Sequence, residues 1–119
     1  MPRRSKPDPL AVVVGRRVRQ LREEAALTIE RLAYESEVGS KGHLSSIERG
    51  LVRPTIQTLK AIADGLNLSL FDIVTFPEQD ERQRLVDATR YLRTDQIRRL
   101  ARDAENARRH ILRAADEDD

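Results

Sequence analysis

Apolar side chains recur along most of this chain at the spacing of one helix face, and no segment alternates with period two, so the pattern predicts helices and no sheet. Val14, Val18 and Leu21 follow Leu10 at helical intervals and predict a helix over about 10–25. Thr28 is a good N-cap for a second helix, with Leu32, Ala33 and Ser36 inward and an end near Val38. Gly39 and Ser40 make a turn, Ser40 caps a third helix over about 41–49, and Gly50 stops it. Pro54 and Thr55 open a fourth helix, which turns Leu59, Ile62 and Ala63 inward as far as Gly65. Ser69 caps a short fifth helix over about 69–75, with Leu70 and Ile73 inside.

Pro2, Pro7 and Pro9 are expected to keep residues 1–9 out of any helix, and Pro77 closes the module that spans 10–76. Residues 77–119 form an extension with two more helical stretches, about 79–92 and 95–115, separated at Arg93-Thr94-Asp95. In the second stretch Ile97, Leu100, Ala104, Ala107 and Ile111 follow one another at steps of 3, 4, 3 and 4, a heptad seam flanked by arginines and acids. That seam is open to two readings: a dimer interface, which we favour, or a face that folds back on Phe71, Val74 and Phe76.

Charge adds little until it is mapped. The net is only +2, yet residues 1–22 carry seven Lys or Arg against the single acid Asp8, and residues 81–113 carry ten Arg against five acids. The chain ends in four acids, Asp116 to Asp119. Basic segments suit a phosphate-binding protein, although Arg-rich composition alone produces the same numbers. There are no cysteines, which excludes disulfides and thiolate metal sites and fits a reducing cytoplasm. The longest apolar run, Leu10 to Val14, is far short of a membrane span, and the opening MPRRSKPDP lacks the apolar core of a secretory signal and reads as a cytosolic tail.

Two short helices joined by a tight turn, the second polar on its outer face, form a helix-turn-helix, whose second helix enters the major groove. The run GRRVRQLREEAALTIERLAYE followed by HLSSIERGLVRPTIQTLKAIADGLNLSLFDI resembles the five-helix lambda-repressor-like domain of the Xre/Cro family over about residues 12–76. The resemblance rests on Arg22-Glu23-Glu24, Leu27-Thr28, Leu32-Ala33, the run from Leu44 to Gly50, and Pro54 with its following helix; the combination is specific where each piece is weak. It implies an all-α five-helix domain with double-stranded DNA as partner; the C-terminal helices that follow, with their heptad seam, are expected to serve dimerisation.

By the same resemblance Lys41, Gly42, Ser45 and Ser46 are the base readers, with Ser46 the first choice and Ser45 the alternative. His43 is placed to reach a phosphate or base, Thr28 and Ser40 sit at helix N-termini that favour phosphate, and Arg49 and Arg53 are backbone clamps. Arg22 and Glu48 should form a structural ion pair. The sequence departs from the family in three places: an extra residue between the second and third helices with Glu37 near the usual Gly, Ile29 where Gln often contacts phosphate, and Gly42 without a side chain to offer a base.

Blander readings stand beside these. Ser45 and Ser46 are also ordinary solvent-facing residues in a helix, and His110, among Arg108, Arg109 and Arg113, reads as solvated. Arg3, Arg4 and Lys6 either track a minor groove or have no role. A nucleophile–base pairing of Ser46 with His43 lacks an orienting group, and two isolated His, no Cys and no glycine-rich phosphate loop leave no equipment for catalysis. The expected function is a homodimeric, sequence-specific transcriptional regulator, a repressor on a palindromic operator, with no metal, cofactor or small-molecule ligand evident. The alternative is an antitoxin-like module whose C-terminal helices hold a partner protein while the domain binds DNA.

Overall fold

The computed structural model describes Lys6 and residues 8–117, all of whose regular structure is helical. The helices are α1 (Pro9–Glu24), α2 (Ile29–Ser36), α3 (Lys41–Glu48), α4 (Ile56–Gly65), α5 (Leu70–Ile73), α6 (Glu81–Ala88) and α7 (Thr94–Glu117), with a single 3-10 turn over Thr89–Tyr91 between the last two. The starts of α1 to α6 are explained locally. Thr28, Ser40, Thr55 and Asp80 turn a side-chain oxygen onto a backbone N–H three residues on, and Ser69 and Asp72 complete a reciprocal capping box.

Three boundaries correct the sequence reading. Pro9 is not excluded from helix but opens α1, because a first-turn residue has no N–H to lose and Asp8 caps that turn through the N–H groups of Leu10 and Ala11. The second helix ends at Ser36 rather than near Val38, since Glu37 takes a left-handed conformation (φ 56°) and Gly39 follows with φ 98°. The expected helix over 79–92 is shorter, Glu81–Ala88, and tightens into the 3-10 turn.

Helices α1 to α5 enclose one core, built from Val18, Leu21, Leu32, Leu44, Ile47, Ile62 and Ile73 with smaller residues between them. Two glycines set how closely helices approach. A Cβ on Gly15 would stand 2.3 Å from the Ile47 carbonyl oxygen, so α1 and α3 cross at backbone contact. Gly50 (φ 73°) ends the α3 turn directly against Val12, where a Cβ would lie 2.7 Å from its Cα.

The extension is built differently. Neither α6 nor α7 contains a buried residue. Helix α7, about 36 Å long at 1.5 Å per residue, projects from the head, and the radius of gyration of 17.9 Å exceeds the roughly 13.5 Å of a compact chain of this length. Its seam is left uncovered: Ile97, Leu100 and Ile111 are 41%, 43% and 68% exposed, and Phe71 and Val74 remain exposed as well.

Candidate nucleic-acid interface

Helix α3, the expected reading helix, is braced against its neighbours by directional hydrogen bonds. Arg22 on α1 donates from Nε to Glu48 Oε2 at 2.7 Å and from its terminal nitrogen to Oε1 at 3.1 Å, while its third nitrogen donates to the Leu27 carbonyl at 2.8 Å. One guanidinium therefore joins α1, the turn before α2, and the C-terminal end of α3, with both charged groups largely buried. Hydrogen bonding to Glu48 raises the Arg22 pKa above its ordinary value, against the opposing effect of burial. A bidentate fork on a carboxylate fixes orientation as well as distance.

With its C-terminal end fixed, α3 turns its N-terminal half outward. Ser40, Lys41 and Gly42 are exposed, and His43 and Ser45 are half-buried. Ser46 departs from the expectation of an outward reader: it is 9% exposed, because the chain leaving α3 turns back beside it with Leu51 N donating to its carbonyl at 2.9 Å. The more accessible serine on this helix is the half-buried Ser45. Arg49, just past α3, is exposed.

The hydroxyls of Thr28 and Ser40 are already engaged as caps, accepting from Arg31 N at 3.0 Å and His43 N at 3.1 Å. Two cations of the expected interface hold carboxylate partners that the sequence reading missed. Lys41 Nζ lies 2.7 Å from Glu30 Oε1, and Arg53 donates to Asp8 Oδ2 at 3.0 and 2.5 Å. The hydrogen bond from Lys41 holds the Glu30 carboxyl below its usual range, and that from Arg53 does the same for Asp8. Both pairs are solvent-exposed on the cationic side, so the contacts are weak and exchangeable for phosphate. Arg31 stacks 5.7 Å from the centroid of the exposed Tyr34 ring beside the α2 N-terminus, a second feature absent from the sequence reading. The Asp8–Arg53 pair also rims an apolar cleft of about 580 Å³ lined by Leu10, Val14, Leu59, Val74 and Phe76. The tail residues Arg3 and Arg4 lie outside the described residues, and Lys6 is exposed. Among the described residues no group of His, Asp or Glu is arranged to hold a metal ion, and no helix is long and apolar enough to cross a membrane.

This is a helix-turn-helix: a scaffold helix α2, a tight turn through Glu37–Ser40, and a short α3 with a polar outer face. The model of the family described as "Helix-turn-helix domain" matches residues 13–72, half of the chain. Over 63 residues the chain is 35% identical to the immunity repressor protein of Bacillus phage phi105, a match covering 53% of this chain and 43% of that protein. Over 72 residues it is 35% identical to the HTH-type transcriptional regulator SinR of Bacillus licheniformis, covering 60% of this chain and 62% of that one. The chain thus spans less than two thirds of either relative. A solved complex of SinR and SinI proteins superposes with a TM-score of 0.57 at 31% identity, covering 82% of this chain and 98% of the matched one. The chain belongs to the Xre/Cro-like helix-turn-helix family of DNA-binding transcriptional regulators.

Proposed function

We propose that this protein acts in the cytoplasm as a transcriptional repressor that binds a palindromic operator as a homodimer, each copy placing α3 in the major groove. The observation that carries the reading is the Arg22–Glu48 fork, which braces α3 at its C-terminal end and leaves Lys41 to Ser45 at the open end, where base edges are read. In this reading Lys41 and Ser45 face bases, with Ser46 in close support. Gly42 lets the backbone approach, and His43, Arg49, Arg53 and the N-termini at Thr28 and Ser40 take phosphates. Lys41 and Arg53 exchange Glu30 and Asp8 for DNA. The exposed seam of Ile97, Leu100, Ala104, Ala107 and Ile111 joins the two copies. Repressor activity is supported by the phage immunity repressor among the relatives.

Selection of bound duplexes from a random pool tests this reading. A palindromic consensus with half-site centres about one helical turn, roughly 34 Å, apart is expected. Recovery of no enriched sequence would overturn it. A second reading is that α7 holds a different protein, and one observation favours it: the similarity to the SinR/SinI complex runs beyond the head, over 82% of this chain. A partner that co-purifies stoichiometrically and is lost when residues 77–119 are removed would select that reading.

A further inference from the structure

The extension is tied to the head by hydrogen bonds and ion pairs gathered at the α6 joint. With no buried residue in α6 or α7, the direction in which α7 leaves the head depends on a short chain of directional polar contacts. Arg17 on α1, 2% exposed, donates from one terminal nitrogen to Asp87 Oδ1 at 2.6 Å and from Nε to the Asp72 carbonyl at 3.0 Å. The same Asp87 oxygen accepts from Arg90 Nε at 2.8 Å, and Arg90 reaches on to Glu24 Oε2, at the end of α1, also at 2.8 Å. Tyr91 closes the chain, its hydroxyl 3.4 Å from that Glu24 oxygen and its ring 4.9 Å from the Arg90 guanidinium carbon. The signs alternate from Arg17 through Asp87 and Arg90 to Glu24, so both buried guanidinium groups face a carboxylate.

We propose that this Arg17–Asp87–Arg90–Glu24 chain is a latch that fixes the angle between the reading head and α7, making Asp87 and Arg90 positioning residues that set which half-site spacing the protein accepts. The inference rests on the two-copy reading above. None of the four residues belongs to α3 or to the turn before it, so none is among those expected to touch a base. Their effect passes through geometry: with α7 held at one angle, two copies joined through their seams offer two α3 helices at one separation. A slack joint offers a range of separations, and the advantage of binding both half-sites together falls with the effective concentration of the second head.

The test uses the full chain and duplexes carrying two copies of the half-site recovered from the random pool, separated by spacers stepped one base pair at a time through a helical turn. The unmodified protein should bind sharply best at one spacing. Arg90→Gln, which leaves the Arg17–Asp87 bond in place, and Asp87→Asn should keep their affinity for a single half-site. At the best spacing they should lose about tenfold and spread their binding over neighbouring spacings. A profile in the Arg90→Gln protein as sharp as the native one overturns the latch, as does a native profile that is already flat, or an equal loss on the single half-site. The chain has no cysteine, so spin labels at cysteines introduced for the exposed Gln57 and Glu105 give a second readout that needs no operator. Labelled chains diluted into unlabelled protein should show one narrow head-to-α7 distance, broadened by Arg90→Gln; an unchanged width overturns the proposal. A native mass of one chain would instead overturn the two-copy reading, and the label distances would still judge the latch.

Discussion

Arg19 and Arg22 lie one turn apart on α1 and make carboxylate pairs of very different worth. Arg19 meets Glu23 at 2.9 Å with both side chains more than half exposed, where water and salt screen the attraction. Arg22 meets Glu48 largely out of water, and removing it would leave a buried carboxylate alone. Arg22→Ala should therefore cost about 3–5 kcal/mol in denaturant unfolding, whereas Arg19→Ala should cost less than about 0.5 kcal/mol; equal effects would mean that the Glu48 site admits water freely. Glu37 offers a gain. It holds φ 56°, a left-handed conformation that costs a side-chain-bearing residue about 1–2 kcal/mol. Glu37→Gly should raise stability by about 0.5–1 kcal/mol once the greater entropy of unfolded glycine is offset. The Arg22–Glu48 partnership and the anomaly at Glu37 could be read from residues alone, because family pattern and backbone chemistry mark both. Arg17 could have been noticed as well, since it shares the inward face of Val14, Val18 and Leu21. Its partner Asp87 could not: seventy residues separate them, and only the packed structure brings them together.

At the scale of elements, α3 can be tested by what kind of loss each change produces. Ser45 is the more accessible of the two serines of α3, so if α3 reads bases Ser45→Ala should cost about 1–3 kcal/mol on the selected operator and little on scrambled DNA. Arg53→Ala should weaken both DNAs alike and lower the salt dependence by about one unit of slope; equal losses for the two variants on the two DNAs would remove α3 as a reader of sequence. The α6 joint can be tested with pH. Burial pushes the Asp87 carboxyl up, but hydrogen bonds from Arg17 and then Arg90 outweigh it and hold the group below the usual carboxylate range. A depressed folded value means that the pairing stabilises the fold above about pH 4 and that this stabilisation disappears as pH falls through the folded pKa. The stability gap between the native protein and Asp87→Asn should accordingly be full at neutral pH and close below about pH 4; a gap that persists in acid would assign the loss to packing. Helix starts were legible because a cap is a local event, as at Thr28, Ser40 and Ser69. Where a helix stops, and which serine of α3 it buries, depended on the returning chain at Leu51 and on Glu37, which no periodicity encodes.

The whole molecule is a head with its own closed core and a long helix that shares none of it. That division makes the seam separable from folding. Leu100 and Ile111 are exposed in the single chain, so replacing both with Glu removes no packing from the head and should leave its unfolding free energy within about 0.5 kcal/mol of native. If the seam joins two copies, the same change places four carboxylates in one apolar interface, which they cannot share without a large desolvation penalty. Light scattering should then give a two-chain mass for the native protein and a one-chain mass for the variant. Operator affinity should fall about a hundredfold, because the second half-site is no longer held at high effective concentration, while affinity for an isolated half-site stays unchanged. A one-chain native mass would reject the seam as a dimer interface outright. A variant that remains a dimer would move the interface elsewhere, and the exposed Phe71 and Val74 on the head would be the next residues to change.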